Sequence, residues 1–464
     1  MASLAGLLKA AGHTVTGSDE NVYPPMSHEL EALGIPYQSG FASANLEPQP
    51  DIVIVGNAIS RGNVELESVL NRKLRYTSAA AVIQDEFIRG RHSLAVAGTH
   101  GKTSTSSLLA WVLEVAGLNP AFLIGGVAEN FGRSFRLTDS KYFVIEADEY
   151  DTAYFDKGPK MWHYLPDTAI VANIEFDHAD IYRDAIAYNF AFSRFINLIP
   201  GNGTLVAGWD SPIVRELSAK SLAPVESFGY SGGDASASDG AHPMWQAEKV
   251  RFGPDGTKFT VLHNGKEWGA VESPLAGAFS VRNILSVIAA AESVGADRDR
   301  VRDGLRTYKS VKRRMEVRGE AGGVTVIDDF AHHPTAIRET ISAARQKYAG
   351  RRLVAVYEPR SYTAQLREFE GAYEAAFAEA DEIVLAGLFH PERYADSALD
   401  PAALVERWKK AGKRAHYIQA VPDIVSALTE TLGAGDVVLV MSNGGFGGLH
   451  EKLLSALEAA PGKS

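Results

Sequence analysis

The residues best suited to chemistry cluster in AVAGTHGKTSTSS, residues 95–107. An apolar run, Leu94-Ala95-Val96-Ala97, breaks into Gly98-Thr99-His100-Gly101-Lys102-Thr103-Ser104. Apolar residues then recur at helical spacing at Leu108, Leu109, Val112, Leu113 and Ala116. Strand, glycine loop, Lys-Thr and helix is the order of a phosphate-binding loop. Glycines let backbone N–H groups face an anion without Cβ clashes, and the helix N-terminus adds partial positive charge. In such a loop Lys102 reaches the β/γ-phosphate oxygens of ATP and the Thr103 hydroxyl holds Mg2+. Standard spacing places a glycine five residues before Gly101, where Val96 stands. An ordinary strand-to-helix turn that contains Gly-Lys-Thr is the competing reading.

Further polar groups come after other apolar runs. Tyr142-Phe143-Val144-Ile145 leads into Glu146-Ala147-Asp148-Glu149-Tyr150-Asp151. Carboxylates crowded at a strand end are costly unless a cation sits among them. Mg2+ opposite the phosphate loop is that cation, with Thr103 and Glu146 as candidate ligands; a solvated acidic loop is the alternative. The run 168–172 leads into Asn173-Ile174-Glu175-Phe176-Asp177-His178-Ala179-Asp180, where His178 is either a metal ligand or a satisfied structural histidine. Lys312-Arg313-Arg314 suits a phosphate clamp or a solvated surface. Later runs end in Asp328-Asp329-Phe330-Ala331-His332-His333-Pro334, in Glu358-Pro359-Arg360-Ser361 and in Ser442-Asn443-Gly444-Gly445-Phe446-Gly447-Gly448. The backbone amides of that last turn suit an anionic ligand, or simply a tight strand-to-helix turn.

Positioning these groups takes parallel sheets, because strands that alternate with helices deliver their carboxyl ends to one shared crevice. The expected fold class is α/β in three domains: a Rossmann-like unit over 1–91, a P-loop ATPase-like parallel sheet with added antiparallel strands over 92–310, and a second Rossmann-like unit over 311–464. In the first unit a helix over 4–11 precedes the strand that ends in Asp19, so the first strand and its glycine turn are expected to be missing. Asp19 and Asn57, each after a strand, are candidate substrate contacts, with a plain turn acid as the alternative for Asp19. The antiparallel addition is expected over 250–268, with turns at Asp255-Gly256 and Asn264-Gly265, after a small polar loop over 231–241.

The 464 residues suggest about three domains of ~150 each. A net charge of −11 argues against non-specific nucleic-acid binding. No cysteine is present, so disulfides, thiolate zinc sites and cysteine nucleophiles are excluded. No apolar run approaches the ~20 residues of a membrane helix and no signal peptide is visible, so a cytoplasmic protein without membrane partners is expected.

Taken in order, GTHGKTS, EADEYD, NIEFDH, RRME, DDFAHHP and SNGGFGG resemble the motifs of the Mur ligases of cell-wall synthesis, over nearly the whole chain. The resemblance implies an ATP- and Mg2+-dependent, amide-forming enzyme that works through an acyl phosphate. EADEYDTAYFDK, NVYPPM and residues 441–448 look most similar to the branch that joins the tripeptide L-alanyl-γ-D-glutamyl-meso-diaminopimelate to UDP-N-acetylmuramate during peptidoglycan recycling. The branch that adds L-alanine typically has serine where Tyr150 stands. An ATP-binding relative without ligase activity is the third reading. By resemblance, Lys102, His178 and Arg314 are catalytic; Gly98, Thr99, His100, Gly101, Lys102, Thr103, Ser104, Asn283, Arg314 and Asp329 bind ATP; and Thr103, Glu146 and His178 hold metal. Arg360, Ser442, Asn443 and Gly444 are candidate peptide contacts. Relatives usually carry a His-Asn pair before the adenine-contacting helix, where Phe279 and Ser280 stand here.

Overall fold

The computed structural model describes all residues except 23–25, 180, 231–241, 390–396 and 460–464. The expected loop at 231–241, the Tyr-Pro-Pro of NVYPPM and Asp180 therefore lie outside the described residues. The centre is a ten-stranded mixed sheet. Its parallel heart runs Thr204–Gly208, Thr168–Val171, His92–Ala97, Tyr142–Glu146, Ala121–Ala128. The expected antiparallel addition forms one edge as Trp245–Gly253, Gly256–His263 and Lys266–Ser273, and Arg133–Arg136 closes the other. The middles of the parallel strands are apolar because both faces are covered. Leu94 and Val96 face helices Lys102–Val115 and Ala278–Ser293. Ala95 and Ala97 face the opposite layer, which contains Tyr188, Phe192 and Phe195 of helix Ala185–Asn197.

The C-terminal sheet has six strands in the order Glu316–Ala321, Val324–Asp329, Val437–Met441, Leu353–Tyr357, Glu382–Leu385, Arg414–Tyr417, and all pairs but the first are parallel. Its connection to the central sheet is short. Val311 bridges to Ala128, and Lys312 N donates to Val127 O at 3.2 Å. Around this junction Ser310, Arg313 and Met315 adopt left-handed backbone angles, φ +78°, +63° and +51°.

The N-terminal unit holds two separate parallel pairs, Gly17–Asp19 with Tyr37–Ser39 and Val53–Val55 with Tyr76–Ser78. Among the described residues no strand joins them. Helix Ala2–Ala10 docks on the central domain: Leu4, Leu7 and Leu8 share a core with Phe135 and Phe143, and Ser3 Oγ lies 2.9 Å from Ser134 Oγ. Among the described residues no helix is long and apolar enough to cross a membrane.

Candidate active site

The phosphate loop sits where strand His92–Ala97 meets helix Lys102–Val115. Gly98 has φ +136° and Gly101, the helix N-cap, φ +85°, angles that side chains disfavour. Space is also lacking. A Cβ on Gly98 would lie 3.1 Å from Asn173 O, and one on Gly101 3.2 Å from Asn283 Oδ1. Asn283 thus abuts the loop from helix Ala278–Ser293. Thr99 and His100 turn inward. Thr99 N donates to Asn173 O at 3.0 Å and His100 N to Asn173 Oδ1 at 2.8 Å. These two residues hold the loop's shape. The N–H groups of Lys102, Thr103 and Ser104 lead the helix and have no intrahelical acceptor, which is the anion-binding end of a helix.

Lys102 Nζ donates to Gly98 O at 2.8 Å and pairs with Glu149 at 2.8 Å. Glu149 is buried and also meets His178 Nε2 at 3.2 Å and Tyr188 OH at 3.3 Å. Burial opposes its ionisation, but Lys102 and His178 outweigh it and hold the carboxyl at about 2. Burial pulls Lys102 down, yet Glu149 and Asp148 leave it above the usual lysine range. His178 has φ +57° and packs on Tyr150, with ring centroids 4.4 Å apart.

Thr103 Oγ1 donates to Glu146 Oε1 at 2.8 Å, and Gly125 N donates to Glu146 Oε2 at 2.7 Å. Burial and the Asp148 carboxylate push Glu146 up to about 7, and burial likewise raises Asp148. Hard oxygen donors whose charge is under-compensated fit Mg2+. The expected third ligand, His178, is placed on Glu149 rather than beside Thr103 and Glu146.

From the C-terminal domain, Arg314 lies over Phe330 at 5.0 Å. Asp329 is buried and receives Met315 N and Ala331 N, each at 2.8 Å, so its oxygens shape the turn; burial raises its carboxyl against the pull of Arg314. Arg313, expected to help clamp phosphate, instead donates to Ser442 O and Gly444 O, both at 2.7 Å. It braces the glycine turn. Ser442 donates to Glu358 at 2.5 Å, Arg360 lies over Phe389 at 3.9 Å, and the buried Asn443 Oδ1 has no hydrogen-bond partner among the described residues. Arg360, Ser442, Asn443 and Gly444 thus meet at the carboxyl ends of neighbouring strands. Phe279 and Ser280 lie within the first turn of helix Ala278–Ser293, not before it as expected. Asp19 accepts from Asn21 N at 2.9 Å, and Asn57 is exposed in the turn after Val53–Val55.

Sequence reasoning singled out neither Glu175 nor Thr335. Glu175 accepts from His100 Nε2 at 3.0 Å and from Thr335 Oγ1 at 2.7 Å. Among the described residues His100, Glu175 and His333 are the one set of three histidine and carboxylate side chains with ligand atoms all within 4.8 Å of one another. Both Glu175 oxygens already accept hydrogen bonds. Burial, with His100 nearby, lowers His333 to about 4, so it is neutral.

Residues 1–89 match the Mur ligase family catalytic domain, 96–291 the Mur ligase middle domain and 313–444 the Mur ligase glutamate ligase domain. The UDP-N-acetylmuramate–L-alanyl-gamma-D-glutamyl-meso-2,6-diaminoheptandioate ligase of Escherichia coli (strain K12) is 42% identical over 461 residues, 98% of this chain and 96% of that protein. The chain belongs to the Mur ligase family. A murein peptide ligase from Psychrobacter arcticus 273-4 superposes with a TM-score of 0.72 at 36% identity, covering 99% of this chain and 97% of that one. A UDP-N-acetylmuramate–L-alanine ligase of Salinibacter ruber is 32% identical over 460 residues, 99% of this chain and 93% of that protein. As a Mur ligase the protein is an ATP-dependent, amide-bond-forming enzyme.

Proposed function

We propose that this Mur ligase joins L-alanyl-γ-D-glutamyl-meso-diaminopimelate to UDP-N-acetylmuramate with conversion of ATP to ADP and phosphate. The observation that carries the reading is full-length similarity, at 42% identity, to a ligase named for those substrates. The lactyl carboxylate of the sugar attacks the γ-phosphorus of ATP, ADP leaves, and an acyl phosphate remains. The peptide's α-amine then attacks the acyl carbon, phosphate leaves, and the amine proton passes to solvent or phosphate.

The chain's part is positioning and charge. Lys102 turns from Gly98 O and Glu149 toward the β/γ-phosphates, while the helix N–H groups cradle them. Thr103 and Glu146 would hold Mg2+, which when bound neutralises phosphate charge. Arg314 adds positive charge from the C-terminal side. The Arg360, Ser442, Asn443 and Gly444 cluster receives the anionic peptide. Asp19 and Asn57 face the UDP-sugar. The three units divide the work: residues 1–91 for the sugar nucleotide, 92–310 for ATP and 311–464 for the peptide, in the cytoplasm where these soluble substrates meet.

A phosphate-release assay with UDP-N-acetylmuramate tests this, comparing tripeptide, tetrapeptide and free L-alanine as amine. The tripeptide is expected to turn over fastest. Faster turnover with L-alanine moves the protein to the alanine-adding branch.

A further inference from the structure

One carboxylate links the phosphate loop to the C-terminal domain. Glu175 comes after strand Thr168–Val171. Its Oε2 accepts from His100 of the loop at 3.0 Å, and its Oε1 accepts from Thr335, in the first turn of helix Pro334–Lys347, at 2.7 Å. His333, the N-cap of that helix, brings its ring to 4.8 Å from the ring of His100. The loop end of the link is stiff. Asn173 grips both N–H and C=O of His100, at 2.8 Å and 3.0 Å. Burial opposes ionisation of Glu175, but the bonds from His100 and Thr335 win and hold its carboxyl at about 2. Both bonds are therefore charge-assisted, the stronger class. A second cross-domain pair, Arg282 with Glu339, lies along the same helix and steadies the contact.

We propose that Glu175 and Thr335 are positioning residues that fasten the C-terminal domain over the phosphate loop and keep water from the acyl phosphate. The inference rests on the ligase reading above. With the fastening intact, the amine alone reaches the acyl carbon. With it loosened, water attacks the same carbon, phosphate leaves, and the carboxylate returns unligated, so ATP is spent without an amide. Loosening the domain also draws Arg314 back and slows ADP formation, but the ratio of ADP to amide reports only the fate of the acyl phosphate already formed.

The test measures ADP and amide product in one reaction with ATP, UDP-N-acetylmuramate and the tripeptide, for wild type, Thr335→Val, Thr335→Ser and Glu175→Gln. Valine keeps the shape of threonine and removes the hydroxyl, while serine retains it. Loss of a hydrogen bond to a carboxylate shifts a closed-to-open equilibrium by about tenfold. The ADP-to-amide ratio is therefore expected to rise several-fold above wild type in Thr335→Val and in Glu175→Gln, and to stay near wild type in Thr335→Ser. A wild-type ratio in folded Thr335→Val or Glu175→Gln overturns the inference while leaving the ligase reading in place. A wild-type chain that forms no amide overturns both.

Discussion

Nζ of Lys102 lies 2.8 Å from Oε2 of Glu149, a carboxylate with no solvent exposure. The one lysine of the glycine loop is thus held on a buried anion, itself held by His178 and Tyr188.

The pair sets a prediction about two quantities at once. Lys102→Ala removes the proposed phosphate clamp, so ADP formation is expected to fall by about a thousandfold. It also strands the Glu149 charge, which costs about 3–5 kcal/mol. The double variant Lys102→Met with Glu149→Gln recovers the melting temperature without recovering ADP formation. Thermal unfolding and an ADP assay on the same samples check both parts.

Gly98→Ala places a Cβ 3.1–3.3 Å from backbone atoms of Asn173 and Ala172, at φ +136°. Backbone cannot swing aside as a side chain can, so the loop distorts. A strained position costs about 1–2 kcal/mol, and ATP affinity is expected to drop about tenfold, measured by calorimetric titration.

His333 carries a pH prediction. Its pKa is about 4 in the folded protein, against 6.5 unperturbed, because burial disfavours the imidazolium. Between those values the unfolded chain binds a proton that the folded chain refuses. The contribution to stability is complete above pH 6.5 and is lost as pH falls toward 4, by up to about 3 kcal/mol. Asparagine is a good N-cap without a titrating ring. Urea unfolding at a series of pH values is expected to show a shallower acid loss for His333→Asn than for wild type.

Arg360 passes so close to Gly444 that a Cβ there would lie 2.3 Å from its Cδ. Arg360→Ala is expected to raise the KM for the tripeptide about tenfold and leave that for ATP unchanged. Gly444→Ala displaces the guanidinium stem and shifts the same constant in the same direction. Initial rates with each substrate varied in turn decide the matter.

The parts of the site that local order controls were legible in the sequence. An apolar run ending in Gly98 to Thr103 announces its loop and helix. Acids after residues 142–145 have to sit at a strand end, and turns at Gly256 and Gly265 define the antiparallel edge. The choice among the acids was not legible. Glu146 was the expected partner of the loop, and it does meet Thr103. The carboxylate that takes Lys102 is Glu149, and the long-range approach of Tyr188 on helix Ala185–Asn197 helps decide it. Glu175 meets Thr335 across 160 positions, beyond any periodicity. Arg313 looked like a phosphate clamp by charge alone; the carbonyls that occupy it lie about 130 residues further on. Phe279 and Ser280 enter the helix because its N-cap is Gly277, a weaker start signal than a serine or aspartate.

The junction between the central and C-terminal domains has a mechanical consequence. Ser310, Arg313 and Met315, none of them glycine, hold left-handed angles on either side of the Ala128–Val311 rung. Each such residue costs on the order of 1 kcal/mol. That strain is stored in the segment joining the two sheets, the place where a swivel of one against the other would release it.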